Sequence, residues 1–448
     1  MAGLALTAAC PNGLCNADTL APYFTKLAHA RGAGGRTVHI LQIGDSHTAG
    51  DAITGGWREM LQARYGSGGR GVLPPGRPYD GYLTRGITAT MSPGWSIAAD
   101  FGKGSAPPRA PLGLSAFSLT SQAEGASMRL DAEPQQRFTR AVICAIARPG
   151  AGSLTIRLGA VSQQWNLGSV NERPACRTLH SAMPETHLDL ATGGGPVTLT
   201  SWATFADAGG VALSNLGVVG SQLVHFARTD DAVLAEELRT YAPDLIVLAF
   251  GTNEGFAPRF VPFDYEIVLR TQIARIRRLA ANVPILLLGA PDALTRRPEL
   301  KSNAPEGDAS ACGDRMIYSG QTRPVDQSLF DQSVQGPRQL IGEPEAAAPE
   351  APPSPPSPPP SALPVSEKSA LFPPAGLDAV RNVQRRVAAS LHVAFWDWQA
   401  RMGGRCTALR WARATPPLMR GDHVHYTSAG GREIAARLQA DLDAATSR

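Results

Sequence analysis

The feature that most constrains the fold is a run of apolar residues, Val38 to Ile43, that ends at Gly44. Near-continuous rather than alternating hydrophobicity is typical of a strand covered on both faces, as in a parallel sheet. Small and polar residues follow the glycine, and an apolar pattern with helical spacing begins near Trp57. The stretch therefore predicts a strand, a tight turn and a helix. This order places the hydroxyl of Ser46 at the carboxyl end of a strand, where open α/β sheets bind ligands.

Strand and helix patterns alternate again in the second half of the chain. Apolar runs predict strands at 216–219, 244–250, 284–289 and 393–396. Between and after them, helical spacing predicts helices at 231–241, 264–281 and 377–391, with a closing helix from about Ser428. The alternation predicts an α/β fold built on a doubly wound, flavodoxin-like parallel sheet with helices on both sides.

Two insertions interrupt this pattern. From 77 to 210, short alternating segments separated by turn residues predict an inserted all-β sandwich. From 293 to 374 the chain is rich in proline, and the stretch Glu343–Pro360 predicts disorder or extended polyproline II. The α/β domain is thus predicted in three parts, 1–76, 211–292 and 375–448. The loop Gly66–Gly76 lacks the Gly-Lys-Ser/Thr ending of a P-loop, so we interpret it as a connector.

Four short motifs occur in a fixed order along the chain. They are Gly44-Asp-Ser-His47, Leu216–Gln222, Ala249–Glu254 and Asp422–Thr427. Together they resemble the sequence blocks of the SGNH (GDSL-type) hydrolases, although each motif alone is weak. The resemblance implies that the α/β domain is of the SGNH type.

The same resemblance implies which residues form the active site. The catalytic triad would be Ser46, His425 and Asp422. The oxyanion hole would use the backbone amides of Ser46 and Gly220 and the side-chain amide of Asn253. Gly217 is an alternative to Gly220, which we prefer because it ends the predicted apolar run.

The residue types suit acyl transfer without a metal or a cofactor. A serine hydroxyl needs an adjacent base, and the imidazole of His425 can accept its proton and return it to the leaving alcohol. Asp422 lies three residues earlier, so on one helical turn its carboxylate would reach the same ring. His423 would point away from that face, and His47 is expected to have a wall or structural role. The chain has no Gly-x-Ser-x-Gly elbow and no HExxH motif.

The position of the β-rich insertion narrows the resemblance to the branch that contains bacterial peptidoglycan O-acetylesterases. In that branch the insertion resembles a carbohydrate-binding module. The resemblance implies an esterase that removes acetyl groups, through an acetyl-serine intermediate, from peptidoglycan or an exopolysaccharide such as acetylated cellulose. Trp95, Trp165 and Trp202 either stack on sugar rings or lie in the sandwich core. Other functions of the same fold stay open: a polysaccharide O-acetyltransferase, a lipase or thioesterase, or an inactive polysaccharide-binding component of a secretion complex.

Composition bears on membrane insertion, nucleic-acid binding and cellular location. The 448 residues are 43% hydrophobic with a net charge of +4, and no apolar run is long enough to span a membrane. The arginines are scattered, so no nucleic-acid partner is expected. The segment Met1–Ala9 resembles the end of a signal peptide without its basic region, and is either the remnant of a truncated leader or the result of a mis-set start. The even number of cysteines and the expected polysaccharide substrate favour an exported or periplasmic protein near the cell envelope or polysaccharide-secretion machinery. Lipidation of Cys10, which follows this segment, stays open.

The six cysteines permit three disulfides. Pairing of sequence neighbours would join Cys10 to Cys15, Cys144 to Cys176 and Cys312 to Cys406. Six buried free thiols are the alternative.

Overall fold

A computed structural model describes residues 10, 13–31, 35–82, 84–101, 110–296, 312 and 371–446. The predicted leader remnant and the proline-rich stretch lie outside the described residues. The strands are β1 (Leu14–Cys15), β2 (Val38–Gly44), β3 (Gly71–Leu73), β4 (Ile87–Met91), β5 (Trp95–Ala99), β6 (Phe117–Ser121), β7 (Ser127–Ala132), β8 (Phe138–Ala147), β9 (Ser153–Leu158), β10 (Val161–Asn166), β11 (Arg173–Glu185), β12 (His187–Gly193), β13 (Val197–Phe205), β14 (Val211–Gly217), β15 (Leu245–Ala249), β16 (Ile285–Leu288) and β17 (Ala394–Trp396). The α-helices are α1 (Ala21–Ala28), α2 (Ser46–Ala49), α3 (Ile53–Tyr65), α4 (Leu223–Phe226), α5 (Asp231–Tyr241), α6 (Thr252–Gly255), α7 (Pro262–Leu279), α8 (Ala375–Leu391), α9 (Trp398–Met402), α10 (Thr407–Ala412) and α11 (Ser428–Thr446).

One sheet has the order β1-β17-β16-β15-β2-β14. Neighbouring strands in it are parallel except β1, which pairs antiparallel with β17. Every residue of β2 is buried, as its continuous apolar run predicts. Because β2 lies between β15 and β14, the residues that follow these three strands meet at one edge of the sheet.

Helices cover both faces of this sheet. On one face, Leu41 and Leu248 belong to a hydrophobic core with residues of α5, α7 and α8 such as Ile273 and Val383. On the other face, Ile40 and Val247 share a core with residues of α3 and α11. The α/β fold class is therefore confirmed at the level of mixed sheets and helices.

Two antiparallel sheets are built from the chain between Gly71 and Phe205. Their orders are β10-β9-β12-β7-β4 and β11-β8-β13-β6-β5, and β3 pairs with β13 in the second. A single hydrophobic core contains residues of both sheets. Trp95, Trp165 and Trp202 belong to that core and are 7%, 6% and 1% exposed, so of the two alternatives the structure shows packing in the core.

The connector predicted at Gly66–Gly76 contains a strand that the sequence did not reveal. In β3, Leu73 pairs with Trp202 of the antiparallel sheet. The neighbouring N–H of Val72 donates to the Ser214 side chain on β14 at 2.7 Å. This short segment therefore joins the antiparallel sheets to the parallel one.

The described cysteines form the three sequential pairs, Cys10 with Cys15, Cys144 with Cys176 and Cys312 with Cys406. Cys144 and Cys176 lie opposite each other on β8 and β11. The alternative of free thiols is wrong for these residues. Within the described part of the chain, the helices lack the combination of length and apolar character that crossing a bilayer requires.

Candidate active site

The turn between β2 and α2 presents the Ser46 side chain. A Cβ on Gly44 would collide with the Ala249 carbonyl oxygen at the end of β15, so glycine lets the two strand ends approach closely. Asp45 then caps the short helix, because its Oδ1 accepts the backbone N–H of His47 at 2.9 Å. Asp45 and His47 are buried, whereas Ser46 is half-buried and reaches the surface of the edge.

The structure brings the three predicted triad side chains into contact. His425 Nε2 lies 2.9 Å from Ser46 Oγ, and His425 Nδ1 lies 2.9 Å from Asp422 Oδ2. A hydroxyl, an imidazole and a carboxylate linked in this order form the arrangement that activates serine for attack on an acyl carbon. Their catalytic roles stay predictions of this geometry.

Asp422 and His425 approach each other through a turn and not through the predicted helical turn. The helix α11 begins only at Ser428, and His423 has a left-handed backbone with φ of 59°. Asp422 Oδ1 accepts the backbone N–H groups of Val424 and His425, each at 2.9 Å, so the aspartate closes the turn itself. The predicted contact between Asp422 and His425 is present, but the predicted helical turn is wrong. The Asp422 side chain bonds to the backbone here, in place of helical hydrogen bonds.

Asp422 is held as an anion. Burial alone would raise the pKa of this carboxyl, but the hydrogen bonds from the His425 ring and from two backbone N–H groups lower it to about 2. A carboxylate in this position fixes the tautomer of His425 with its Nδ1 protonated and stabilises the imidazolium that forms when Ser46 loses its proton. His423 is buried instead, and its carbonyl accepts the N–H of Leu294 at 3.1 Å.

The predicted oxyanion donors follow three adjacent strands, β2, β14 and β15. Among the hydrogen bonds of the described residues, the N–H groups of Ser46 and Gly220 donate to no protein acceptor. Asn253 donates one side-chain N–H to the Ser221 carbonyl at 2.8 Å, which leaves the second hydrogen of that amide for another acceptor. These groups are chemically suited to receive a developing negative charge, and their assignment stays a prediction.

The strand expected to run to Val219 ends earlier, at Gly217. A Cβ on Gly217 would collide with the backbone of Ala49 and Asp45, so this glycine lets α2 pack over the end of β14. Gly220 has φ of 77° and lies in the loop that follows. The expectation that Gly220 ends the strand is therefore wrong. Gly220 is still preferred to Gly217 as an oxyanion donor, because its N–H donates to no described protein acceptor.

Sequence reasoning assigned no role to Glu254, which lies behind this loop. Its Oε1 accepts the Leu223 N–H at 2.7 Å, and its Oε2 is buried without a hydrogen-bond partner among the described residues. Burial raises the pKa of Glu254 to about 7, although the bond from Leu223 acts in the opposite direction. The signal available in the sequence was an acidic residue directly after Asn253 at the end of a buried strand.

No group of three or more histidine, cysteine, aspartate or glutamate side chains suited to a metal ion occurs among the residues that the structure describes.

Comparison with known proteins supports the fold. No family model and no curated protein matches the chain. A solved structure of a peptidoglycan O-acetylesterase is similar, with 23% identity over 97% of this chain and 99% of the other, and a TM-score of 0.68. A family two carbohydrate esterase from Clostridium thermocellum with bound cellohexaose matches more weakly, with 11% identity over 79% of this chain and 99% of that chain, and a TM-score of 0.27. The predicted resemblance to the SGNH-type esterases is confirmed as a similarity of fold.

Proposed function

We propose that the chain is a serine esterase that removes O-acetyl groups from a bacterial polysaccharide. The observation that supports it most is the pair of 2.9 Å contacts that link Ser46 Oγ, His425 and Asp422. The similarity of fold to a peptidoglycan O-acetylesterase supports the same reaction class. Peptidoglycan and an acetylated exopolysaccharide such as cellulose are the two candidate substrates.

The mechanism follows from the positions of the side chains. Ser46 Oγ attacks the acetyl carbonyl carbon while its proton passes to His425 Nε2, and the carbonyl electron pair becomes an oxyanion. The N–H groups of Ser46, Gly220 and Asn253 stabilise that oxyanion. The intermediate collapses, His425 gives its proton to the departing sugar oxygen, and an acetyl ester on Ser46 remains. Water activated by His425 then releases acetate and restores the serine.

We further propose that the parallel sheet is doubly wound, and that the antiparallel sheets form a sandwich inserted at 77–210 that resembles a carbohydrate-binding module. The strand β3 joins this sandwich from the segment before the insertion. The strand order and the cores on both faces support the first part. The core shared by the two antiparallel sheets supports the second. The predicted division of the rest of the chain is part of the same proposal. It assigns 1–76, 211–292 and 375–448 to the α/β domain and 293–374 to the proline-rich insertion.

Export to the cell envelope is proposed with this function. Three disulfides support an oxidising compartment, since such bonds are rare in reducing ones. An acetylated polysaccharide of the envelope is the proposed partner, and an association with polysaccharide-secretion machinery would fit the same location.

Acetate release by the wild type and by Ser46→Ala tests the proposal. The wild type should hydrolyse an aryl acetate and release acetate from acetylated peptidoglycan or acetylated cellulose, and Ser46→Ala should do neither. Ser162→Ala, at an exposed position of β10, is the matched control and should behave as the wild type. Retained activity in Ser46→Ala contradicts the mechanism. Acetyl transfer to an added oligosaccharide, or a preference for long acyl chains, would instead indicate a transferase or a lipase.

A further inference from the structure

His47 connects the turn that carries Ser46 to the turn that carries the rest of the triad. It is 5% exposed, and both of its ring nitrogens have partners. Nε2 lies 2.9 Å from the carbonyl oxygen of Val424, and Nδ1 lies 3.2 Å from Asp45 Oδ1. The Thr252 hydroxyl is a weaker neighbour of Nδ1, at 3.4 Å.

The Val424 carbonyl belongs to the peptide unit that leads into His425. The N–H of that same planar unit donates to Asp422 Oδ1 at 2.9 Å. One rigid peptide is therefore held at its oxygen by His47 and at its nitrogen by Asp422. Because the unit precedes the Cα of His425, its position sets how far the imidazole reaches toward Ser46.

The two contacts also specify the charge of His47. A carbonyl oxygen only accepts hydrogen bonds, so Nε2 must carry a proton, and the carboxylate of Asp45 calls for a proton on Nδ1 as well. Burial by itself would lower the pKa of His47, but the Asp45 charge and the hydrogen bonds to Asp45 and Val424 raise it above the ordinary value. These contacts favour a protonated His47 beside the carboxylate of Asp45.

The other groups that face His47 belong to the active site or to its walls. The ring centroid of His425 is 5.5 Å away, and the rings of Trp398 and Tyr426 are at 5.5 and 5.6 Å. Asp422 acts on His47 through its charge, and Asp45 acts in the same way on Glu254.

We propose that His47 is a positioning residue for the esterase reaction, which holds the Val424–His425 peptide against the Ser46 turn as an imidazolium paired with Asp45. The inference rests on the proposed function. It predicts that the His47 contacts raise the turnover number and do not bind the substrate.

His47→Phe tests this, because phenylalanine keeps the ring volume and removes both N–H groups. The turnover number on an aryl acetate should fall, up to the order of 10²-fold, the scale of loss when a catalytic group is misplaced by about 1 Å, while KM stays unchanged. His47→Gln, which offers an amide N–H to Val424, should recover part of the loss. Asp45→Asn with His47→Phe removes both charges and still caps α2, so it covers the case in which the single variant does not fold.

His39 provides the matched control, because it is equally buried and uses both ring nitrogens, toward the Tyr241 carbonyl and the Ser214 hydroxyl. His39→Phe should lower stability without changing the turnover number. The nitrogen-15 NMR shifts of His47 in the wild type should show both nitrogens protonated at neutral pH.

An unchanged turnover number in folded His47→Phe or in the double variant overturns the positioning role. A neutral His47 in the NMR experiment overturns the ion pair. Failure of the proposed function has a different signature, since the wild type would then hydrolyse no ester while the NMR measurement still reports on His47.

Discussion

His425 Nε2 lies 2.9 Å from Ser46 Oγ although 379 positions separate the two residues. The contact depends on packing between helices that flank the two turns. The helix α3 follows the Ser46 turn, α11 follows the His425 turn, and Trp57 Nε1 on α3 donates to Gln439 Oε1 on α11 at 2.8 Å. Docking of α11 beside α3 thus brings the base to the nucleophile.

Asp422→Asn should reduce the turnover number on an aryl acetate on the order of 10⁴-fold, the size of effect seen when a triad carboxylate becomes an amide. The amide can donate to His425 Nδ1, which favours the wrong tautomer of the ring. Steady-state kinetics measure the loss, and circular dichroism should show an unchanged fold. A turnover number near that of the wild type would remove Asp422 from the mechanism.

Asn253→Ala should lower the turnover number on the order of 10² to 10³-fold with little change in KM, because the lost donor acts on the oxyanion. Asn382→Ala, at an exposed position of α8, serves as the control and should leave both the turnover number and KM unchanged. An increase in KM alone would instead show that Asn253 binds the ground state.

Glu254→Gln should change the pH dependence of stability. Folding raises the pKa of this carboxyl from 4.5 to about 7, so between these values the folded protein binds more protons than the unfolded chain. The free energy of unfolding must then fall as pH rises through this window, with a slope of up to about 1.4 kcal/mol per pH unit from this group. Glutamine mimics the protonated form and should flatten the slope.

Urea unfolding at several pH values measures the effect of Glu254→Gln. Burial raises the pKa of Asp100 to about 7 as well, so part of the slope should persist in the variant. Glu59→Gln, at the surface of α3, should leave the slope as it is in the wild type. A Glu254→Gln variant with the full wild-type slope would show that Glu254 is already ionised in the folded protein.

Replacing Cys144 and Cys176 by alanine should lower the free energy of unfolding by about 3 to 4 kcal/mol, because the cross-link closes a loop with a sequence separation of 32. The bond joins β8 to β11 in an antiparallel sheet, whereas Ser46, Asp422 and His425 belong to other elements, so the turnover number should not change. Urea unfolding and steady-state kinetics check the two statements separately, and a loss of activity in the folded variant would contradict the second.

The sequence predicted best the elements whose pattern is local. Buried runs such as β2 and β15 and the order of the four motifs were visible because each is contained in a few neighbouring residues. Strand ends that depend on distant contacts could not be predicted. The strand β14 stops at Gly217 because α2 packs on it. The strand β3 is too short to show a periodic pattern. The antiparallel β11 has no clear alternation to predict it from, because only one of its 13 residues is buried.

The same distinction applies to the site. The identities of Ser46, Asp422 and His425 could be inferred from residue types in a motif. The turn that joins Asp422 to His425 could not, because it depends on backbone N–H groups, which every sequence provides. The contact of His47 with the Val424 carbonyl could not be inferred either, because 377 positions separate the two residues.

At the beginning and end of the proline-rich insertion, Thr295 and Phe372 exchange backbone hydrogen bonds of 2.8 and 2.9 Å. The chain therefore leaves the α/β domain and re-enters it at neighbouring points. The pairing of Thr295 with Phe372 and the bond from Cys312 to Cys406 fix both ends of the segment between Cys312 and Leu371, so its length can change without moving the residues that carry out the reaction.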